Sequence, residues 1–124
     1  MTEQEEKILY ICTHADDDPE KAAMPFVMAN AALSMDVKAV VVLQGQGAYL
    51  ALKGYVEHML PSGGFPPLPK LMSDFQALGG ELRVCAPCIK ERKIDKSELI
   101  EGAATIAAAE LTVLAMEAKA VFNY

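Results

Sequence analysis

Apolar residues run unbroken from Ile8 to Cys12 in KILYICT (7–13) and from Ala39 to Leu43 in DVKAVVVLQ (36–44). Continuous runs of this length fit parallel strands covered on both faces. Between them, HADDDPEKAAMPFVMANAALSM (14–35) changes period. Asp17 or Asp18 can cap a helix, Pro19 fits its first position, and Ala22, Phe26, Ala29 and Leu33 recur at helical spacing. Pro25 is a candidate kink. The stretch GQGAYLALKGYVEHML (45–60) reads as a turn followed by a helix, which makes the first half βαβ in character.

PSGGFPPLP (61–69) is too rich in proline and glycine for regular structure and reads as a loop. In KLMSDFQALGG (70–80), Leu71, Phe75 and Leu78 restore the helical period, and Gly79 and Gly80 are expected to end it in the left-handed conformation. ELRVC (81–85) is a third strand. For ELIEGAATIAAAELTVLAMEA (98–118), propensity alone gives one long alanine-rich helix, whereas Gly102 and AATIA allow a short strand before a helix near 108–117. KAVFNY (119–124) reads as a last strand.

Strands alternating with helices predict an α/β fold with a mainly parallel sheet covered on both faces, and 124 residues suit a single domain over 1–124. Ligands of such sheets lie beyond the carboxyl ends of the strands. Those positions are Cys12, Thr13 and His14 after the first strand, Gln44 and Gly45 after the second, and Cys85 after the third.

Composition narrows the function. Hydrophobic residues make up 52% and charged residues 23%, a globular balance. The net charge of −6 repels polyanions, so nucleic acid is not an expected partner. No apolar run reaches the ~20 residues of a membrane span. The start, MTEQEEK, is acidic and polar where a secretory signal would be basic and then apolar, which favours a cytoplasmic location. Three cysteines in a reducing compartment point to reactive or buried thiols rather than structural disulfides.

The chemistry concentrates in RVCAPCIKERK (83–93). Ala86 precedes proline and is expected to be extended, with Pro87 in the first turn of a helix, so Cys85 should face a helix N-terminus where a thiolate is stabilised. Lowering its pKa by two needs roughly 2.7 kcal/mol, more than the ~0.3–1 kcal/mol typical of a helix end. Lys90, Arg92 and Lys93 are candidate cations for the remainder. The alternative is that Cys85 is a small residue closing a strand. Cys88 can resolve an oxidised or persulfidated Cys85 or simply pack inward. Cys12 reads as a buried thiol.

His14 is a candidate proton donor or an ordinary solvent-facing histidine, and His58 reads as surface. One CxxC with scattered histidines does not make a zinc site, and no metal or cofactor is expected. GQGAYL departs from the dinucleotide fingerprint, having Leu50 where the third glycine belongs. A thioredoxin-like dithiol has the right spacing in Cys-Ala-Pro-Cys, but Pro87 is the last proline, leaving none to face the dithiol from later in the chain.

THADDDPEKAAMPFVMANAA, VVVLQGQGAYL, LPKLMSDFQALGG, RVCAPCIKERKI and ELIEGAATIA, in that order, resemble the DsrE/DsrF-like family, which includes the TusD-type sulfur-relay subunits. The resemblance covers nearly the whole chain. It implies a three-layer α/β/α domain with a five-stranded parallel sheet, a short strand at 103–106, and assembly into a homo-oligomer, a trimer or hexamer. It also implies a persulfide carried on Cys85, exchanged with sulfur donor and acceptor proteins, with Arg92 at the position of the family arginine. Lys93 stands where a glycine is usual, and the Cys-Ala-Pro-Cys pair departs from the relay subunits towards an uncharacterised branch. Three functions follow: a sulfur carrier or sulfurtransferase, a non-enzymatic small-ligand-binding or assembly module, and a dithiol redox protein.

Overall fold

The computed structural model describes residues 5–124. The acidic start, read above against export, lies partly outside them. The elements are β1 (Lys7–Cys12), α1 (Pro19–Ser34), β2 (Lys38–Leu43), two 3₁₀ segments (Gly45–Ala51 and Val56–His58), α2 (Leu68–Ala77), β3 (Glu81–Cys85), α3 (Ala86–Glu91), a 3₁₀ turn (Lys96–Glu98), β4 (Ala103–Ile106), α4 (Ala108–Glu117) and β5 (Ala120–Asn123). The five strands form one sheet in the order β4-β3-β2-β1-β5, and every pairing is parallel.

Strand alternation sorts the side chains between two unequal layers. Tyr10 and Cys12 of β1, Ala39, Val41 and Leu43 of β2, and Leu82 and Val84 of β3 join the main core with α1 and α2. Phe26 of α1 meets Phe75 of α2 edge-on, with centroids 5.4 Å apart at 86°, a pairing that contributes about 0.5–1.5 kcal/mol beyond its buried area. On the opposite face, Leu9, Val40, Val42 and Ile106 form a much smaller cluster under α4. None of α4 is fully buried, and Val113 and Met116 are exposed. The fold is three-layered, and its second helical layer is a single ten-residue helix.

Local chemistry sets the boundaries. Asp18 caps α1, its Oδ1 accepting from the Lys21 amide at 3.1 Å, and the helix continues through Pro25. Residues 45–60 hold two 3₁₀ segments rather than an α-helix. Gly47 presses against the backbone of Cys12 and Thr13, and Leu52 leaves the helical path to bridge to Leu99. α2 starts at Leu68, two residues inside the expected loop, because Pro67 and Pro69 suit its first turn. Of the two glycines after it, only Gly79 is left-handed (φ +89°); Gly80 is required because any Cβ there would enter the Phe75 ring. Gly102, at φ +90°, breaks the alanine-rich tail before β4, so the tail is strand then helix.

Candidate functional site

Odd-numbered residues of β3 point away from the main core. Cys85 therefore ends β3 on the α4 side, paired in register with Ile106 of β4. Because one short helix cannot cover this whole face, a groove of about 490 Å³ opens between the strand ends and α4. Its apolar wall comprises Pro87, Ile106, Leu111, Ala115 and Met116, together with the Cys85 thiol. Gln44 and Thr112 supply its polar side chains, and among the described residues no charged side chain lines it.

The helix starts at Ala86 and not at Pro87, so the extended residue before it is Cys85 itself (φ −57°, ψ 118°). Proline occupies the second helical position, where its missing amide hydrogen costs nothing. The electrostatics differ from the expected thiolate. Burial pushes the Cys85 thiol above its ordinary value and the Cys88 thiol beside it adds to the rise; the Cys88 amide and the Arg92 guanidinium pull the other way. Desolvation is the largest influence on this thiol, and a six-residue helix gives only a small favourable field against it.

Cys88, one turn on, faces the 3₁₀ segment, where its Sγ accepts from the Gly45 amide at 3.3 Å. Gly45 reaches that position with φ +54°. Arg92 donates to the Cys88 carbonyl at 3.2 Å and lies over the Tyr49 ring, 5.6 Å from its centroid. Tyr49 stacks in turn on Tyr55, whose hydroxyl donates to Asp16 Oδ1 at 2.6 Å. Lys90 is exposed, and the cation that lowers the Cys85 thiol is Arg92. Lys93, where the resemblance implies glycine, takes φ +56°, a left-handed conformation that costs a non-glycine residue.

Thr13 and His14 lie outside the groove. Thr13 Oγ1 donates to the Tyr124 carbonyl at 2.7 Å, which ties β1 to the chain end after β5. His14 Nδ1 sits 2.7 Å from Asp17 Oδ2, and the Ala15 amide donates to Asp17 Oδ1 at 2.7 Å. The Ala15 amide, then His14, hold the Asp17 carboxyl below the usual carboxylate range. Cys12 is fully buried and its thiol is pushed up to about 12 by burial, a core residue as its place within β1 suggested. Among the described residues no group of three or more His, Cys, Asp or Glu is placed to hold a metal ion.

The structure thus gathers Gln44 and Cys85 in the groove, with Gly45, Cys88 and Arg92 behind it. Tyr49 and the α4 residues were not singled out by sequence reasoning. Only the register of β3 against β4 brings α4 to the cysteine, and no local motif marks it.

The family model for the DsrE/DsrF-like family matches residues 6–124. The uncharacterized protein MJ0760 of Methanocaldococcus jannaschii is 34% identical over 97 residues, 78% of this chain; the match spans only 35% of that relative's length. MJ0989 of the same organism is 27% identical over 118 residues, covering 95% of this chain and 99% of that protein. Among solved structures, YchN of E. coli superposes with a TM-score of 0.80 at 19% identity, covering 96% of this chain and 99% of that one. MTH1491 of Methanobacterium thermoautotrophicum gives 0.76 at 12%, covering 97% and 100%. At such identities the structural matches show the fold alone, and it is the family match over nearly all of the described residues that assigns this chain to the DsrE/DsrF-like family.

Proposed function

We propose that this chain is a small cytoplasmic sulfur-relay protein that carries sulfane sulfur as a persulfide on Cys85. The observation that carries the reading is a half-exposed thiol at the carboxyl end of β3, in the wall of an open groove, with a second thiol one helical turn away. The family, in which sulfur relay is a recurrent activity, supports it.

Loading is a thiol exchange: the Cys85 sulfur attacks the outer sulfur of a donor persulfide, a new S–S bond forms, and the donor thiol leaves with the proton. Delivery to an acceptor thiol is the reverse exchange. Alternatively, Cys88 attacks Cys85 Sγ, expelling hydrosulfide and leaving a Cys85–Cys88 disulfide, so the pair is oxidised as the sulfane sulfur is reduced. Arg92 offers a nearby positive charge to an anionic persulfide, and His14, beyond the end of β1 with β2 between it and β3, is a candidate proton donor that would act from outside the groove. Sulfur donor and acceptor proteins are the expected partners. The exposed apolar residues Val113 and Met116 of α4 and Val121 and Phe122 of β5 favour a homo-oligomer, a trimer or hexamer.

One observation favours a second reading. A resting thiol raised by burial, in an apolar groove, also suits a non-enzymatic small-ligand-binding module. Intact mass spectrometry after treatment with a persulfide donor separates the two. Relay predicts an adduct of about 32 Da, one sulfur atom, on the native chain and its loss in Cys85→Ser. Absence of the adduct, or its survival in Cys85→Ser, refutes the relay reading.

A further inference from the structure

We infer that, among small-molecule donors, the groove beside Cys85 selects an uncharged sulfane-sulfur molecule, elemental sulfur in the form of octasulfur, over an anion. The inference rests on the reading of Cys85 as the sulfur-holding residue and names what loads it.

Desolvation decides between donor classes. An anion entering this groove gives up part of its hydration to a wall of Pro87, Ile106, Leu111, Ala115 and Met116, with no cation among the described residues of the lining to compensate. The nearest cation with an influence on Cys85, Arg92, does not line the groove; it is stacked on Tyr49 and bonded to the Cys88 carbonyl. Octasulfur carries no charge and no hydrogen-bonding hydrogen, so hydrocarbon and thiol walls suit it, and its entry is favoured by the apolar surface removed from water. A volume of about 490 Å³ lies within the usual range for small-molecule sites.

The loading step balances without a further reactant. The Cys85 thiol gives its proton to solvent, its sulfur attacks one ring sulfur, and one S–S bond forms as one ring S–S bond breaks. The product is a linear polysulfide bound to Cys85 with the negative charge on its terminal sulfur, and nothing leaves. The charge develops away from Cys85 Sγ, towards the open side of the groove, which suits a thiol whose burial disfavours the anion. An anion such as thiosulfate must instead bring two negative charges in and let sulfite leave.

The test compares loading rates of the native chain with octasulfur, thiosulfate and glutathione persulfide, read by intact mass as a gain on Cys85 of about 256 Da, eight sulfur atoms, from octasulfur and about 32 Da, one sulfur atom, from each of the other two. Octasulfur is expected to load at least about tenfold faster than thiosulfate, as the uncompensated desolvation of an anion requires. Thr112 is exposed and lines the groove, so Thr112→Lys places a cation there without disturbing the core. It should speed thiosulfate, slow octasulfur and shrink the preference, with Thr112→Gln as the size control. Equal rates for octasulfur and thiosulfate on the native chain, or a preference unmoved by Thr112→Lys, overturns the inference. Loading from glutathione persulfide alone overturns it while sparing the relay reading, and loading from none of the three removes both.

Discussion

The Gly45 amide donates to the Sγ of Cys88 at 3.3 Å, joining the turn after β2 to the helix that follows Cys85. This bond keeps Cys88 out of the groove and within one helical turn of Cys85, placed for a release step rather than for capture.

Cys88→Ser is accordingly expected to leave persulfide loading on Cys85 intact and to slow sulfide release to a reductant-free buffer. Cys88→Val removes the acceptor and leaves the Gly45 amide unpaired, a loss of about 1–3 kcal/mol. Intact mass over time reads the first effect, and urea denaturation the second.

Gly47 packs against the carbonyl of Cys12, where a Cβ would overlap backbone atoms that cannot move without shifting the end of β1. Gly47→Ala should destabilise the fold by about 1–3 kcal/mol, the usual cost of overpacking. A lowered urea midpoint with unchanged m-value checks it; an unchanged midpoint would show that the 3₁₀ segment yields freely.

Arg92 and Lys90 lie two residues apart, and it is the Arg92 charge that lowers the Cys85 thiol. A screened unit charge at ~6 Å contributes about 0.7 kcal/mol, so Arg92→Met should slow iodoacetamide alkylation of Cys85 about threefold at fixed pH. Lys90→Met should leave it unchanged. Tyr49→Phe keeps the stacking face for Arg92 and should behave as the native chain, whereas Tyr49→Leu should shift towards Arg92→Met.

Alkaline pH should unfold the chain progressively. Cys12 is raised by burial from 9.0 to about 12, Tyr55 from 10.0 to about 12, first by burial and then by its bond to Asp16, and burial also raises Tyr10 and Tyr124. Each is neutral when folded and ionises more readily when unfolded. Their contribution is whole below the unfolded values and is lost as pH rises through the folded ones. For a fully desolvated group the loss is at most about 1.4 kcal/mol for every pH step of one between those two values, and solvent screening makes it smaller for the partly exposed tyrosines. Cys12→Ala should flatten the fall in stability over the alkaline range up to about 12 relative to the native chain. Parallel curves would show that the tyrosines carry the whole effect.

Four of the strands, helices α1 and α2 and the strand-end position of Cys85 were legible because period and capping are local. Val40 to Leu43 cannot be amphipathic, and Asp18-Pro19 can begin little but a helix. Residues 45–60 carry helical propensity but fold otherwise because Gly47 closes on Cys12, a contact between residues 35 apart in sequence that propensity does not register. Burial opposes the thiolate expected at Cys85 for a related reason. The helix end was visible in Ala-Pro, but the burial that outweighs it comes from β4 and α4, about twenty residues later.

By itself the sequence determined the alternation of strands and helices and the presence of a thiol pair at a strand end, because both depend on neighbours along the chain. Tertiary structure alone decided which face of the sheet receives Cys85 and how little of that face one ten-residue helix can cover. Strand register and the fit of α4 arise between residues distant in sequence, and the desolvation that sets the charge on the sulfur follows from them.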